Sequence, residues 1–447
     1  MSKTVGIISL GCAKNLVDTE IALGYLHEAG YTIVTEPKLA QILIVNTCGF
    51  IDPAKEESIN CILEMAEYKN IGVCRCLIVM GCLSTRYRDE LWNEIPEIDG
   101  LLGISEMALI PKIIAKILSG QRVYCFRDQY FSYDDPQIPR IISTGRHSAY
   151  LKIAEGCNHR CAFCIIPKIR GPYRSRKFEA VIAEAEKLAV SGVKELNVIA
   201  QDTTKYGTDL ENNYSLVDLL TELVKIDIPW IRLLYAYPAF FPDEIIDLMA
   251  RHDNLISYID LPLQHASASI LRRMRRPGSY ESSLALIKKI RSRIPDAAVR
   301  SSFIVGFPGE TKEDFNLLLD FLAEAKLQHC GIFQFSAEEG TAAYSMPEQI
   351  SDEIKNQRYD QAMLLQQQIS FAHQQKLIGR KLEVLIEGRS DESELVIVGR
   401  HRHQAPDVDG LVYIGNKQAN IGDLVNVKII QAHPYDLVGE IIEGDVK

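Results

Sequence analysis

Cys157, Cys161 and Cys164 form a C-x3-C-x2-C triplet inside the stretch from Glu155 to Cys164. That spacing is compact enough for three thiolates to turn towards one metal centre. The count of three is informative. A structural zinc site closes with four ligands, and an electron-carrying cubane is usually held by four thiolates. Three thiolates leave one iron of a 4Fe–4S cluster open to bind another molecule. Phe163, just before the last cysteine, adds a flat apolar ring beside the site. Zinc and unconnected core thiols are the alternatives.

A second trio emerges only when cysteines are set against the pattern of elements. Between Met1 and Tyr133, apolar runs at Val5–Leu10, Ile42–Thr47, Leu77–Met80 and Ile98–Ile104 alternate with helical patterns near Val17–Ala29, Pro53–Tyr68, Ser84–Glu94 and Ala108–Leu118. Asp52 is the expected N-cap before a first-turn Pro53. Such alternation predicts a doubly wound parallel sheet. Cys12, Cys48 and Cys82 each fall after a strand and before a helix, on the sheet edge where ligands bind. Strands run about 4.8 Å apart, so three such thiols can converge on a second cluster. Gly11, Gly49 and Gly81 allow tight turns beside them. Ordinary buried cysteines are the competing reading. Cys61, Cys125 and Cys330 read as core or surface thiols. Cys74 and Cys76 read the same way, with a redox pair as the alternative for these two.

A polar, proline-marked linker over 134–145 leads to the elements that must position the first triplet. Over 146–376, six strand candidates (Ala149–Ala154, Glu195–Ala200, Ile231–Tyr235, Ser257–Leu261, Val299–Val305 and Gly331–Phe335) alternate with helices. Right-handed crossovers of this kind build a partial (β/α)6 barrel with its site at the strand C-terminal ends. Those ends carry the cysteine loop, Gln201-Asp202, Tyr237-Pro238, Gln264-His265, Gly306 to Glu310, and Gln334 to Ser336. His265 either joins the site or caps the next helix. Two basic clusters flank it: Lys168, Arg170, Arg174, Arg176 and Lys177, and Arg272, Arg273, Arg275 and Arg276. They are solvated helix faces or seats for an anionic group.

The last part, 377–447, changes to five short β-runs with Gly, Asp and Asn turns, which predicts a small antiparallel barrel of OB-like kind. From Arg380 to Lys447 there are eight Lys and Arg against twelve Asp and Glu, a net of 8 − 12 = −4. An RNA-gripping barrel is expected to be basic, so this one suits a positively charged protein better. The whole chain, 447 residues with net charge −10, does not simply coat nucleic acid. No apolar run of membrane-spanning length is present, and the opening residues read as a first strand rather than a signal peptide. Eleven cysteines, an odd number, fit reduced thiols in cytoplasm better than a secreted disulfide framework.

The C-x3-C-x2-C triplet resembles the signature of the radical S-adenosylmethionine (SAM) enzymes, in which the open iron chelates SAM. Phe303 to Glu310 resembles their SAM-binding strand, with Phe303 in place of its first glycine. The resemblance implies SAM contacts at Gly306, Pro308 and Gly309, with Gln201, Asp202 and Phe163 beside them. The order of the three parts is similar to the methylthiotransferase family of radical SAM enzymes over the whole chain, with a TRAM-type final barrel. Ser9-Leu10-Gly11-Cys12-Ala13-Lys14-Asn15-Leu16-Val17-Asp18-Thr19-Glu20 resembles its ribosomal-protein branch. So do Val45 to Asp52 and Cys164 to Gly171. The branch acting on tRNA adenosine C2 typically has Gln-Met-Asn after the first cysteine.

The resemblance implies transfer of a methylthio group to the β-carbon of an aspartate in small-subunit ribosomal protein S-twelve, free or in the small subunit. It also implies two 4Fe–4S clusters, SAM as both radical source and methyl donor, an external electron donor, a sulfur source and no membrane. The chemistry explains the equipment. That C–H is neither acidic nor electrophilic, so acid–base and nucleophilic catalysis offer no route. A tRNA methylthiotransferase, an iron–sulfur electron carrier and a zinc-stapled ribosome-binding protein are the rival readings.

Overall fold

The computed structural model describes residues 3–212, 214–415 and 419–446. The N-terminal sheet is wholly parallel, in the order Thr32–Ile33, Thr4–Ser9, Ile42–Thr47, Cys76–Gly81, Gly100–Leu102, Val123–Cys125. Its central strands are apolar at nearly every position because both faces are covered. Ile42, Ile44 and Ile78 pack against Val17, Ile21 and Ile114 from the helices Ala13–Glu28 and Ile110–Leu118. Leu43, Val45 and Val79 pack on the other face against Ile62 and Met65 of the helix Asp52–Ile71. This is the expected doubly wound sheet, with two edge strands too short to show a sequence period. Asp52 is not the N-cap. It is already helical, Ile51 holds the cap position without a side-chain bond, and the Asp52 carboxylate pairs with Lys55.

Six parallel strands follow in chain order: Ser148–Lys152, Glu195–Ile199, Trp230–Leu233, Leu255–Asp260, Ala298–Val305 and His329–Gln334. The first and last do not pair, so the sheet is the partial barrel expected from the alternation. Capping boxes at Ser215, Ser279 and Thr311 set the starts of three of the outer helices.

The last five strands close into a barrel, Lys381–Ser390, Ser393–His401, Val412–Gly415, Leu437–Val446, Leu424–Ala432. It is not purely antiparallel: Val412–Gly415 runs parallel to Leu437–Val446. Parity requires this, since an odd number of strands cannot alternate direction all the way round a closed ring.

This barrel plugs the strand N-terminal edge of the half-barrel. Arg400 donates to Glu195 at 2.6 Å, Arg232 donates to the same carboxylate at 2.9 Å, and all three side chains are fully buried. Beyond them Tyr258 donates to Asp409 at 2.7 Å and Tyr150 to Asp407 at 3.1 Å. Burial would raise the Glu195 carboxyl, but Arg400 and Arg232 hold it well below the usual carboxylate range. Its stabilising contribution is therefore complete above the unfolded value of about 4.3 and lost only as pH falls through the lower folded value. Arg400→Leu is expected to destabilise the protein by about 3 kcal/mol at neutral pH, with the gap to wild type narrowing in acid. Thermal unfolding at pH 7 and at about pH 2 measures both.

Candidate functional site

With that edge sealed, the strand C-terminal edge faces the N-terminal sheet, and both cysteine trios lie there. The loop from Cys157 to Cys164 follows the short strand Ala154–Glu155 and is pinned by Cys157 N–H to Gly171 O (3.1 Å) and Ala162 N–H to Met274 O (2.9 Å). Cys157, Cys161 and Cys164 line one cleft of about 470 Å³ with Arg160, Lys168 and Arg275. A second cleft, about 290 Å³, opens from Cys157 towards His159, Asp202, Lys205 and Phe240. Arg276 reaches within 3.7 Å of the Cys161 sulfur and lies over the Tyr237 ring. The His159 backbone N–H lies 3.4 Å from the Cys157 sulfur. Burial pushes the Cys157 thiol up to about 11 and Cys164 to about 12, with Arg276 opposing.

The second trio converges as the strand ends require. A Cβ built on Gly11 would stand 2.7 Å from the Cys48 Cβ, so the first two loops touch, and Gly11 adopts φ +86° to permit it. Gly49 in turn sits against Leu83, where a Cβ would come within 2.7 Å of the Leu83 Cα. Cys12 is exposed, Cys48 half-buried and Cys82 buried. Burial raises Cys48, and lifts Cys82 to about 12 against the pull of Arg170. Desolvation would raise Cys12 too, but Lys14 and Arg170 outweigh it and hold that thiol below its ordinary value.

Between the trios runs a polar seam that joins the two domains. Arg170, on the helix Ile166–Arg170 just after Cys164, donates to Glu155 (2.8 Å), Asp18 (3.1 Å) and Asn15 (2.8 Å). Its guanidinium also lies 3.5 Å from the Cys82 sulfur. Lys152 bridges Asp18 and Glu155 from below, at 2.5 and 2.9 Å, and Tyr133 donates to Asp18 at 2.8 Å. Ile165 and Ile169 pack directly on Cys82 and Phe50. The helix that follows the first trio therefore packs on a member of the second.

Both donor sets fit iron–sulfur clusters. Thiolates that burial alone penalises become stable as metal ligands, and guanidinium groups stand beside each set to offset cluster charge. Among the described residues no three His, Cys, Asp or Glu side chains converge on a single ion. A cubane does not ask for that, because each thiolate holds a different iron.

The residues expected at SAM divide. Asp202 lines the smaller cleft and accepts a 2.6 Å bond with His159 Nε2. Gln201 donates to Glu155 at 2.5 Å. Phe163 packs with Phe307 and Phe335. Gly306, Pro308 and Gly309 line neither cleft: Glu310 turns back to accept the Gly306 and Phe307 amides (2.5 and 3.0 Å), while Lys355 and Arg273 stand over the two glycines. They shape the turn beside the site.

Neither basic cluster is a uniform solvated face. Arg170 and Arg176 are buried on carboxylates, whereas Lys168 and Arg275 stay accessible at the cleft. His265 does not cap the next helix, whose cap position is Ser267; its Nδ1 accepts the Ser267 amide at 3.0 Å in the turn before it, and burial lowers it to about 4. Cys74 and Cys76 face opposite sides of the sheet, among Leu77 and Val79 for one and Ile78 and Met80 for the other, so they are not a redox pair. Sequence reading missed His159, stacked on Tyr237 at 4.0 Å, although its position inside the cysteine loop was a signal. It also missed the carboxylates Asp18 and Glu155, which carried no local signal at all.

Residues 151–322 match the radical SAM superfamily, residues 4–103 the uncharacterized protein family UPF0004, and residues 378–442 the TRAM domain. Over 98% of its length the chain is 49% identical to the ribosomal protein uS12 methylthiotransferase RimO of Desulforamulus reducens, all of which it covers. It is 47% identical to the protein of that name from Myxococcus xanthus, covering 99% of this chain and 92% of that one. The chain belongs to the RimO family. It is thereby a radical SAM enzyme, and an iron–sulfur cluster and SAM are the cofactors of that superfamily. The radical SAM methyltransferase TsrM from Kitasatospora setae, solved with cobalamin and a [4Fe-4S] cluster, shares the fold at TM-score 0.53 and 17% identity, over 75% of each chain. The cobalamin-dependent enzyme OxsB aligns at 0.53 and 13%, over 81% of this chain and 56% of that one. Only the fold carries across at such identities; the RimO family match rests on sequence. Among the described residues no helix is long and apolar enough to cross a membrane.

Proposed function

We propose that this protein adds a methylthio group to the β-carbon of an aspartate in ribosomal protein uS12, in the cytoplasm where ribosomes are made. Cys157, Cys161 and Cys164 hold one 4Fe–4S cluster in a core spanning about residues 146–376. Cys12, Cys48 and Cys82 hold another in the domain 1–133. When bound, SAM and these clusters supply the radical that removes the inert hydrogen, the methyl group and the sulfur. The chain's own residues do the rest. Asp202 fixes His159 against Tyr237 at the wall of the smaller cleft. The domain interface screens the site from bulk water, which limits side reactions of so reactive a species.

The observation that carries this reading is Arg170. One guanidinium touches Cys82 and is rooted six residues past Cys164, which supports the reading that the two cysteine sets serve one substrate, as sulfur transfer to a substrate radical needs. Arg160, Lys168 and Arg275 rim the cleft through which an external electron donor can approach. The acidic barrel over 377–447 suits the basic surface of a ribosomal protein, and the sulfur source reaches the N-terminal trio. The test is mass spectrometry of uS12 and of tRNA after co-expression with this protein. A gain of one methylthio group on a uS12 aspartate is the expected result. Modified adenosine with unmodified uS12 would overturn it.

A further inference from the structure

Lys14 stands on the first turn of the helix Ala13–Glu28, two residues past Cys12, and its side chain leaves its own domain. The ammonium lies 3.2 Å from the ring centroid of Tyr235, at the end of the third half-barrel strand. The residue is only 8% exposed. Yet among the described residues no carboxylate pairs with it and no acceptor takes a hydrogen bond from it. Its cationic neighbours on this wall are saturated, Arg170 and Lys152 both sharing Asp18 and Glu155. A desolvated ammonium is costly, and one ring face recovers only part of the loss. Within the chain its nearest opposite charge is the Cys12 thiolate, which metal binding would share, so the ammonium keeps capacity for an anion from outside.

The seat beneath it is built. Tyr235 takes φ +58°, a left-handed conformation unfavourable for a tyrosine, and its N–H is held by Asp260 at 3.0 Å. Strain of this kind persists where surrounding structure enforces it, commonly at working sites. The ammonium thus lies between the Cys12 loop and the C-terminal end of a half-barrel strand.

We propose that Lys14 receives the side-chain carboxylate of the substrate aspartate. This rests on the reading of the substrate given above. The carboxylate carbon is bonded directly to the β-carbon, so an ion pair at Lys14 locates the reacting carbon next to the N-terminal trio. It also distinguishes aspartate from a neutral side chain, because an amide in its place brings the ammonium no charge.

The test uses the iron-loaded full chain, wild type, Lys14→Met and Lys14→Arg, with purified uS12 and uS12 whose target aspartate is changed to Asn. Equilibrium binding is read by fluorescence anisotropy. Lys14→Met is expected to bind uS12 about thirtyfold more weakly or worse. Lys14→Arg recovers most of that, and the Asn form binds wild type and Lys14→Met alike. KM for uS12 should follow the same order. Unchanged affinity in Lys14→Met would overturn the proposal. So would an equal loss for the Asp and Asn forms, which would assign Lys14 to holding the Cys12 loop instead. Lys14→Arg, of the same charge and similar length, keeps the comparison decisive where Lys14→Met folds poorly. Wild-type protein that leaves uS12 unmodified fails differently: it overturns the proposed function, whatever Lys14 does.

Discussion

Cys161→Ala protein is expected to lose SAM cleavage entirely, with 5′-deoxyadenosine at background after reduction and bound iron halved. The structure leaves no substitute ligand at hand. His159, the imidazole in the cleft lining, is tied to Asp202 at 2.6 Å and stacked on Tyr237. Two thiols at positions 157 and 164 cannot hold a cubane that normally needs three or four protein ligands. The fold should survive, because Cys161 is only half-buried and its loop is pinned by backbone bonds at Cys157 and Ala162. Circular dichroism identical to wild type with lost cleavage is the informative pair. Retained cleavage would remove the cluster from these cysteines.

Cys48→Ala separates the two cysteine sets. SAM cleavage is expected to continue near the wild-type rate, while methylthio-uS12 falls to background. The substitution is mild in the fold. Cys48 is half-buried, and its backbone keeps both bonds to the Ser58 hydroxyl, at 3.0 and 2.9 Å. A stability loss of about 1 kcal/mol is expected from so small a truncation. What disappears is one ligand of the trio whose loops meet at Gly11 and Gly49. Iron analysis, 5′-deoxyadenosine and mass spectrometry of uS12 on one sample make the comparison. Full methylthiolation by Cys48→Ala would reduce the N-terminal cysteines to packing.

The sheet-edge cysteines were legible because a parallel α/β alternation dictates where strand ends gather, whatever the side chains around them. The cap expected at Asp52 failed for the opposite reason. Local preference placed it before Pro53, but Lys55 and the neighbouring domain took its carboxylate into the first turn. At Gly306 a motif located the turn, and packing added that Glu310 accepts the Gly306 and Phe307 amides.

Spacing of thiols, the rhythm of strands and helices, and the acidity of the last barrel are properties of short stretches. They determined the three-part order and the family resemblance, and pointed to the cofactor chemistry, before any coordinates. How the parts meet is set by residues more than a hundred positions apart. Asp18 with Arg170 and Glu195 with Arg400 pair across domain boundaries, and Lys14 rests on Tyr235. Opposite charges so distant in the chain leave no periodicity to read, since each finds its partner only after the cores have formed and water has been excluded from between them.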